Sequence, residues 1–180
     1  MKLLVTGGAG YIGSVVVERA LGKGHAVVVI DNLQEGHQAA VDGACRLVIG
    51  DYGDAGLLDS LLSAEPFDAV VHLAAETTVA LSVADPAIYF RNNTVNGLAL
   101  LDAMRRHRVM RIVFSSTAAT YGEPEATPIT EDHPQRPINA YGESKLMFER
   151  CLGWYHRAYG LRAASFRYFN AAGEIGRAHV

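Results

Sequence analysis

Tyr141 and Lys145 stand four residues apart in Tyr141-Gly142-Glu143-Ser144-Lys145, a spacing that puts both side chains on one face of a helix. A free phenol, with a pKa of about 10, is a poor base at neutral pH, so a neighbouring ammonium that favours the phenolate is what proton transfer from an alcohol would need. Thr117, after Ser115-Ser116, adds a hydroxyl that could bridge a substrate alcohol and Tyr141, although its own alcohol is a weak base without activation. By itself, Y-x-x-x-K describes many exposed amphipathic helices. Its meaning depends on what else the chain brings to the same place.

Near the amino terminus, Leu3-Leu4-Val5-Thr6 runs into Gly7-Gly8-Ala9-Gly10-Tyr11-Ile12-Gly13, a buried strand, a glycine turn and a helix start. Gly7, Gly10 and Gly13 have the G-x-x-G-x-x-G spacing of a dinucleotide site. Gly7 suits backbone angles other residues avoid, Gly10 leaves room for a pyrophosphate, and Gly13 lets the helix lie close to the sheet. The helix amino terminus offers unpaired N–H groups and the positive end of its dipole to phosphates. Asp31, 18 positions after Gly13, is placed to accept from the adenosine ribose hydroxyls and would repel a 2′-phosphate, favouring NAD over NADP. Asp51 could accept from the adenine amino group and Tyr52 could cover the ring, while Leu73-Ala74-Ala75 offers small side chains to the middle of the cofactor. Lys145 would then hold the nicotinamide ribose. Together these residues imply hydride transfer at an alcohol carbon, without distinguishing a dehydrogenase, a dehydratase and an epimerase.

The elements that must position them alternate. Strands are expected at Met1 to Thr6, His25 to Ile30, Cys45 to Ile49, Ala69 to Leu73, Arg111 to Ser115 and Arg162 to Phe166. Helices are expected from Tyr11 to Lys23, with Val15, Val16, Ala20 and Leu21 facing the sheet, at Leu57 to Leu62, from Pro86 to His107 and from Ala140 to Tyr159, with a polar loop from Glu76 and a proline-rich loop through Pro124, Pro128, Pro134 and Pro137. This is an α/β pattern: a doubly wound parallel sheet (Rossmann) in the order 3-2-1-4-5-6, truncated before a complete substrate-binding region. Loops after the strands gather at one edge, which would place Gly7, Asp31, Asp51, Leu73, Ser115 and Arg167 around a common crevice.

With 180 residues the chain is long enough for one nucleotide-binding domain, expected over residues 1–173. A net charge of −3 without a basic run argues against nucleic acid or an anionic membrane surface as partner. The amino-terminal apolar run ends at Thr6, too short for a signal peptide or a membrane span, so a soluble cytoplasmic protein is expected. Cys45 and Cys151 have no companions at metal spacing and read as small core residues, so no metal is expected. Residues 174–180 are expected to be a non-native or unstructured tail: Ile175 to Val180 back-translates as ATC GGA AGA GCA CAC GTC, which resembles sequencing-adapter DNA.

Together, Thr6-Gly7-Gly8-Ala9-Gly10-Tyr11-Ile12-Gly13, Asp31-Asn32-Leu33, Asn92-Asn93, Phe114-Ser115-Ser116-Thr117-Ala118-Ala119-Thr120-Tyr121-Gly122, Tyr141-Gly142-Glu143-Ser144-Lys145 and Arg167-Tyr168-Phe169-Asn170 resemble the extended short-chain dehydrogenase/reductase superfamily, and within it the UDP-glucose 4-epimerase family. The resemblance runs from Met1 to about Gly173. It implies NAD contacts from Gly7, Gly10, Tyr11, Ile12, Gly13, Asp31, Asn32, Asp51, Tyr52, Leu73, Ala74, Ala75, Asn93, Tyr141 and Lys145, with Phe169 beside the nicotinamide. Thr117 and Tyr141 would address the sugar C4 hydroxyl and Asn170 the nucleotide sugar near its phosphates, with Thr117, Tyr141 and Lys145 catalytic. The implied reaction is reversible C4 epimerisation of a UDP-hexose, UDP-glucose and UDP-galactose, through a 4-keto intermediate. The alternatives are a nucleotide-sugar epimerase acting on a uronate, pentose or N-acetylhexosamine, or a non-catalytic NAD-binding regulatory protein. A homodimer through the Pro86 to His107 and Ala140 to Tyr159 helices is also implied. Two departures stand out: Thr77 lies where family members often carry Lys, and Ala118-Ala119 lies where the dehydratase branch places Asp-Glu for elimination.

Overall fold

The structure, a computed structural model, describes residues 1–172; the expected tail at 174–180 lies outside the described residues. The apolar runs form six parallel strands, β1 (Lys2–Thr6), β2 (Ala26–Asp31), β3 (Arg46–Ile49), β4 (Ala69–His72), β5 (Arg111–Thr117) and β6 (Arg162–Tyr168), in the order β3-β2-β1-β4-β5-β6. The helices are α1 (Tyr11–Gly22), α2 (Ala55–Ala64), α3 (Val79–Ala84), α4 (Pro86–Tyr89), α5 (Gly97–Arg106) and α6 (Ala140–Tyr159), with short 3-10 turns at Gln38–Ala40 and Ala118–Thr120. Pairing of Thr6 with Ile30 and His72, of His72 with Phe114, and of Thr117 with Tyr168 lines up the carboxyl ends of the strands along one edge. The expected strand order and common edge are therefore present.

Packing explains why these segments take these forms. On one face Leu4, Ile30, Val70, Ile112 and Phe114 bury against Leu58, Leu61 and Leu62 of α2, Leu100, Leu101 and Met104 of α5, and Phe148 and Leu152 of α6. On the other, Leu3, Val5, Val27 and Val29 pack on α1 through Val17 and Ala20. Each such fully buried aliphatic or aromatic side chain contributes about 1.5–3 kcal/mol relative to exposure. The expectation for α1 needs one correction: Val17 takes the core position, while Val15 points outward at 45% exposure, because the helix is rotated to seat Gly13 against the glycine turn. Among the described residues the outer edge of β6 is uncovered, with Phe166 52% exposed.

Three further differences concern element boundaries. Cys45 lies in the turn before β3 rather than in it, its thiol donating to the Asp42 carbonyl at 3.1 Å. Part of the expected polar loop after β4 is α3, and the expected single helix from Pro86 to His107 is α4 and α5 joined through a wider π-helical segment, Phe90–Asn96. Backbone angles stay right-handed helical at both junctions. Extra turn residues of this kind re-aim side chains within a helix, and here they turn Asn93 and Thr94 inward, where both bond to Ser144 of α6. Among the described residues, no helix is long and apolar enough to cross a membrane.

Candidate active site

The glycine turn has the close approaches its spacing anticipates. Gly7 has φ of 72°, and a side chain there would sit 2.5 Å from the Ala74 nitrogen; a Cβ on Gly13 would lie 2.0 Å from the Gly7 carbonyl oxygen. Gly10 differs: a Cβ would meet only the Gly7 oxygen, at 3.5 Å, so the protein itself leaves that side open. Among the described residues no side chain caps the amino terminus of α1, and its first turn carries no acidic residue, which leaves its N–H groups and dipole to attract an anion. A pyrophosphate fits this cradle in both shape and charge.

Asp31 closes β2 rather than following it, because its backbone still pairs with Ile49. Its carboxylate accepts from the Ala9 N–H and the Leu33 N–H, both at 2.9 Å, which ties the glycine turn to the strand end. Each carboxylate oxygen keeps a lone pair for a ribose hydroxyl. Asn32 folds its amide onto Gln34 beside it, and Asp51 accepts from the Gly53 N–H at 2.6 Å. Leu73, Ala74 and Ala75 are half-buried along the edge opposite Gly7, where the Leu73 and Ala74 N–H groups bond the Thr6 carbonyl.

Two expected cofactor contacts are placed otherwise. Tyr52 is buried, its ring edge-on to His72 at 4.9 Å and its hydroxyl donating to the Asn92 carbonyl at 2.5 Å, so its ring cannot cover an adenine and only its backbone stays near the crevice. Asn93 is buried too, and its amide is occupied. It accepts from the Glu76 N–H at 2.9 Å and donates to the Glu76 carbonyl and the Ser144 hydroxyl, each at 3.0 Å. Asn93 thus staples the loop after β4 to α6.

At the other end of the crevice, α6 begins under an Asn139 cap that accepts from the Gly142 N–H at 2.8 Å. A Cβ on Gly142 would lie 2.5 Å from the Ala119 carbonyl oxygen, so this glycine lets the helix start press on the turn after β5. The Tyr141 phenol then faces the Thr117 hydroxyl, and its ring is edge-on to Tyr89 with centroids 6.4 Å apart. Burial pushes the phenol up from its ordinary value, and Thr117 pulls the other way. Thr117 accepts from the Ala119 N–H at 3.1 Å, which leaves its own hydrogen for the phenol oxygen. Lys145, 2% exposed, donates to the Ser115 carbonyl at 2.9 Å and lies 4.9 Å from the centre of the Phe114 ring. The three expected catalytic side chains are thus brought together at the β5 and α6 junction. Phe169 and Asn170 follow β6 and are exposed on the same edge. The Tyr11 ring reaches the segment after them, donating to the Ala172 carbonyl at 2.8 Å.

Burial pushes Lys145 down to about 7. Between about 7 and the ordinary 10.5 the unfolded chain holds a proton the folded one lacks, so this residue makes stability rise with pH through that window and costs most below it. Lys145→Met is therefore expected to raise the melting temperature most near about pH 6 and to lose that advantage towards about pH 10. Thermal melts across that range check it.

A group not anticipated from the sequence lies behind β5. Glu149 accepts from the Ser116 hydroxyl and, at 2.7 and 3.1 Å, from the Arg167 guanidinium, which also donates to the Tyr121 hydroxyl at 2.8 Å. Arg167, expected at the crevice, is engaged in this pair. The available signal was that Glu149 repeats the four-residue step from Tyr141 to Lys145. A second such group is the buried pair of Thr6 and His72, 2.7 Å apart beneath the glycine turn, with burial pushing His72 down to about 3.

Comparison with known proteins agrees with this geometry. The chain is 52% identical over 176 residues to UDP-glucose 4-epimerase of Corynebacterium glutamicum, covering 98% of this chain and 53% of that one, and 50% identical over 175 residues to UDP-glucose 4-epimerase of Lacticaseibacillus casei, covering 97% and 53%. Among solved structures, UDP-glucose 4-epimerase from Brucella ovis in complex with NAD superposes with a TM-score of 0.92 at 47% identity, covering 94% of this chain and 52% of that one. The chain spans about half the length of these relatives. Residues 3–179 match the NAD dependent epimerase/dehydratase family, and with the glycine turn, the Asp31 carboxylate and the Thr117, Tyr141 and Lys145 group on one sheet edge, the chain belongs to that family.

Proposed function

We propose that the chain is the cofactor-binding part of an enzyme that reversibly inverts C4 of a UDP-hexose, interconverting UDP-glucose and UDP-galactose with tightly held NAD. The observation that carries this reading is the meeting of Thr117, Tyr141 and Lys145 at one end of a crevice whose other end is the open cradle at Gly10. Gly7, Gly10, Tyr11, Ile12 and Gly13 would hold the pyrophosphate, Asp31 and Asn32 the adenosine ribose, Asp51 and the Tyr52 backbone the adenine, Leu73 to Ala75 the middle of the cofactor, Lys145 the nicotinamide ribose and Phe169 the ring. Bound there, NAD would supply hydride acceptance and return at C4.

The protein's own part is proton transfer and orientation. Tyr141, as phenolate, removes the proton of the C4 hydroxyl, and Thr117 directs that hydroxyl towards it. Lys145, one turn further along α6, would supply the positive charge that favours the phenolate, which burial opposes. The 4-keto sugar turns and presents its other face, and Tyr141 returns the proton to the oxygen. Asn170 would anchor the sugar nucleotide throughout. Ala118 and Ala119 form the turn after Thr117, and neither carries an acid or base for removing a proton at C5, which favours inversion over elimination. The remaining wall of the sugar pocket is proposed to come from the part of the relatives' length beyond this chain. A cytoplasmic homodimer through α4, α5 and α6 accompanies this reading, supported by the exposed Ile88 and Val95.

With the coding sequence carried to the length of its relatives, the purified protein is expected to convert UDP-galactose to UDP-glucose without added oxidant. The same assay with UDP-N-acetylgalactosamine, UDP-galacturonate and UDP-arabinose identifies the other epimerases. No conversion of any of them with NAD bound would favour a regulatory protein.

A further inference from the structure

The face of α6 that carries Tyr141 and Lys145 continues to Glu149 at the next four-residue step, and each of the three meets a different residue at the end of β5. Tyr141 faces the Thr117 hydroxyl, Lys145 bonds the Ser115 carbonyl, and Glu149 accepts from the Ser116 hydroxyl. Arg167 of β6 grips the same carboxylate with two nitrogens and reaches on to the Tyr121 hydroxyl and, at 3.3 Å, the Glu131 carbonyl. One carboxylate whose side chain is 9% exposed therefore joins α6 to β5 and, through Arg167, to β6 and the proline-rich loop.

We propose that Glu149 is a positioning residue for the Thr117 and Tyr141 pair, holding the last residues of β5 so that the Thr117 hydroxyl points at the phenol. Ser116 is one residue from Thr117, and a trans peptide keeps consecutive Cα atoms about 3.8 Å apart, so displacement of Ser116 is passed on to Thr117. The Thr117 hydroxyl is already held from the other side by the Ala119 N–H, and the Thr120 hydroxyl donates to the Thr117 carbonyl at 2.9 Å. What remains to set its direction is the strand end itself, which Glu149 grips. Bidentate pairing with Arg167 fixes the orientation of the carboxylate as well as its position. Burial opposes its charge, but the bonds from Arg167 and Ser116 outweigh it and keep Glu149 below the usual carboxylate range. The charged carboxylate that grips Ser116 and Arg167 is therefore the favoured form.

This inference rests on reading Tyr141 as the proton-transferring group, and its test separates the two. Among the described residues, the groups facing the Tyr141 phenol are Thr117 and, on α4, Tyr89, while Lys145 on the same helix is held by the Ser115 carbonyl. The phenol is titrated by phenolate absorbance in the NAD-loaded protein without sugar, as the difference from a Tyr141→Phe control, in wild type and in Ser116→Ala, Glu149→Gln and Glu149→Ala. Ser116→Ala leaves the pair of Glu149 and Arg167 intact and is expected to raise the phenol midpoint by about half a unit, a threefold loss of phenolate at fixed pH. Its kcat with UDP-galactose falls by a similar factor while KM stays within about twofold. Glu149→Gln, which keeps an acceptor for Ser116, moves the midpoint less than Glu149→Ala. If Glu149→Ala does not fold, Ser116→Ala and Glu149→Gln still decide the matter. A midpoint unchanged in Ser116→Ala, or a lower melting temperature with kcat and midpoint both unchanged, overturns the proposal. Absence of turnover in wild type with the midpoint shifted would overturn the proposed reaction and leave the positioning role standing.

Discussion

Tyr141→Phe is expected to lower kcat for sugar interconversion by a factor of about 10²–10⁴, the range that a positioned acid or base supplies, while NAD stays bound. The phenol oxygen is the atom that takes and returns the C4 hydroxyl proton in the proposed reaction, and the residues around it offer no substitute. Thr117 has an alcohol that needs activation, and Lys145 is directed at the Ser115 carbonyl inside the fold. The aromatic ring itself is retained, so its edge contact with Tyr89 survives and the melting temperature should change little. Steady-state rates, bound NAD content and a thermal melt on the same preparation check the three parts together. A variant with more than a tenth of wild-type kcat would remove Tyr141 from the mechanism.

Gly10→Ala and Gly13→Ala should divide cofactor binding from folding. At Gly13 the new methyl would lie 2.0 Å from the Gly7 oxygen and 2.7 Å from the Gly8 Cα, both backbone atoms that cannot rotate aside. The start of α1 must lift from the turn, at a cost of about 1–3 kcal/mol for overpacking, and the phosphate cradle goes with it. At Gly10 the backbone angles, φ −78° and ψ 175°, suit any residue, and the nearest atom to the methyl is at 3.5 Å. The fold should tolerate that change while the methyl fills the space a pyrophosphate needs, weakening NAD by about 10²-fold, or about 2.7 kcal/mol. Calorimetric titration with NAD and thermal melts of both variants read the split. Equal stability losses would mean that Gly10 serves packing rather than the cofactor.

The parts of this molecule that were legible in the sequence are those governed by short-range rules. Alternation of apolar strands with helices identified the sheet, the glycine spacing identified the turn, and the four-residue step put Tyr141 and Lys145 on one face. What escaped depends on long-range packing. α3 escaped because the residues before it are polar and Asp85-Pro86 interrupts the helical pattern directly after it. The π-helical segment shifts phase inside a pattern that reads as one regular helix, so the destination of Asn93, on Glu76 and Ser144, was not visible from spacing. Tyr52, after the third strand, reads as a ring that could cover the adenine, yet the aromatic cluster of His72, Phe114 and Phe148 draws it inside. Glu149 and Arg167 are 18 residues apart and pair only because β6 lies beside β5. Val15 and Val17 are equally apolar, and the contact of Gly13 with the turn decides which faces the sheet.

In the proposed reaction a hydride leaves C4 and returns to the same carbon from the opposite side within one crevice. UDP-galactose carrying deuterium at C4, incubated in ordinary water with the NAD-loaded protein at the length of its relatives, reports the fate of that hydrogen. UDP-glucose that retains deuterium at C4, with none exchanged to solvent, is the expected product. UDP-glucose carrying solvent hydrogen at C4 would show that the carbon exchanges its hydrogen through a proton, and would contradict the proposed reaction.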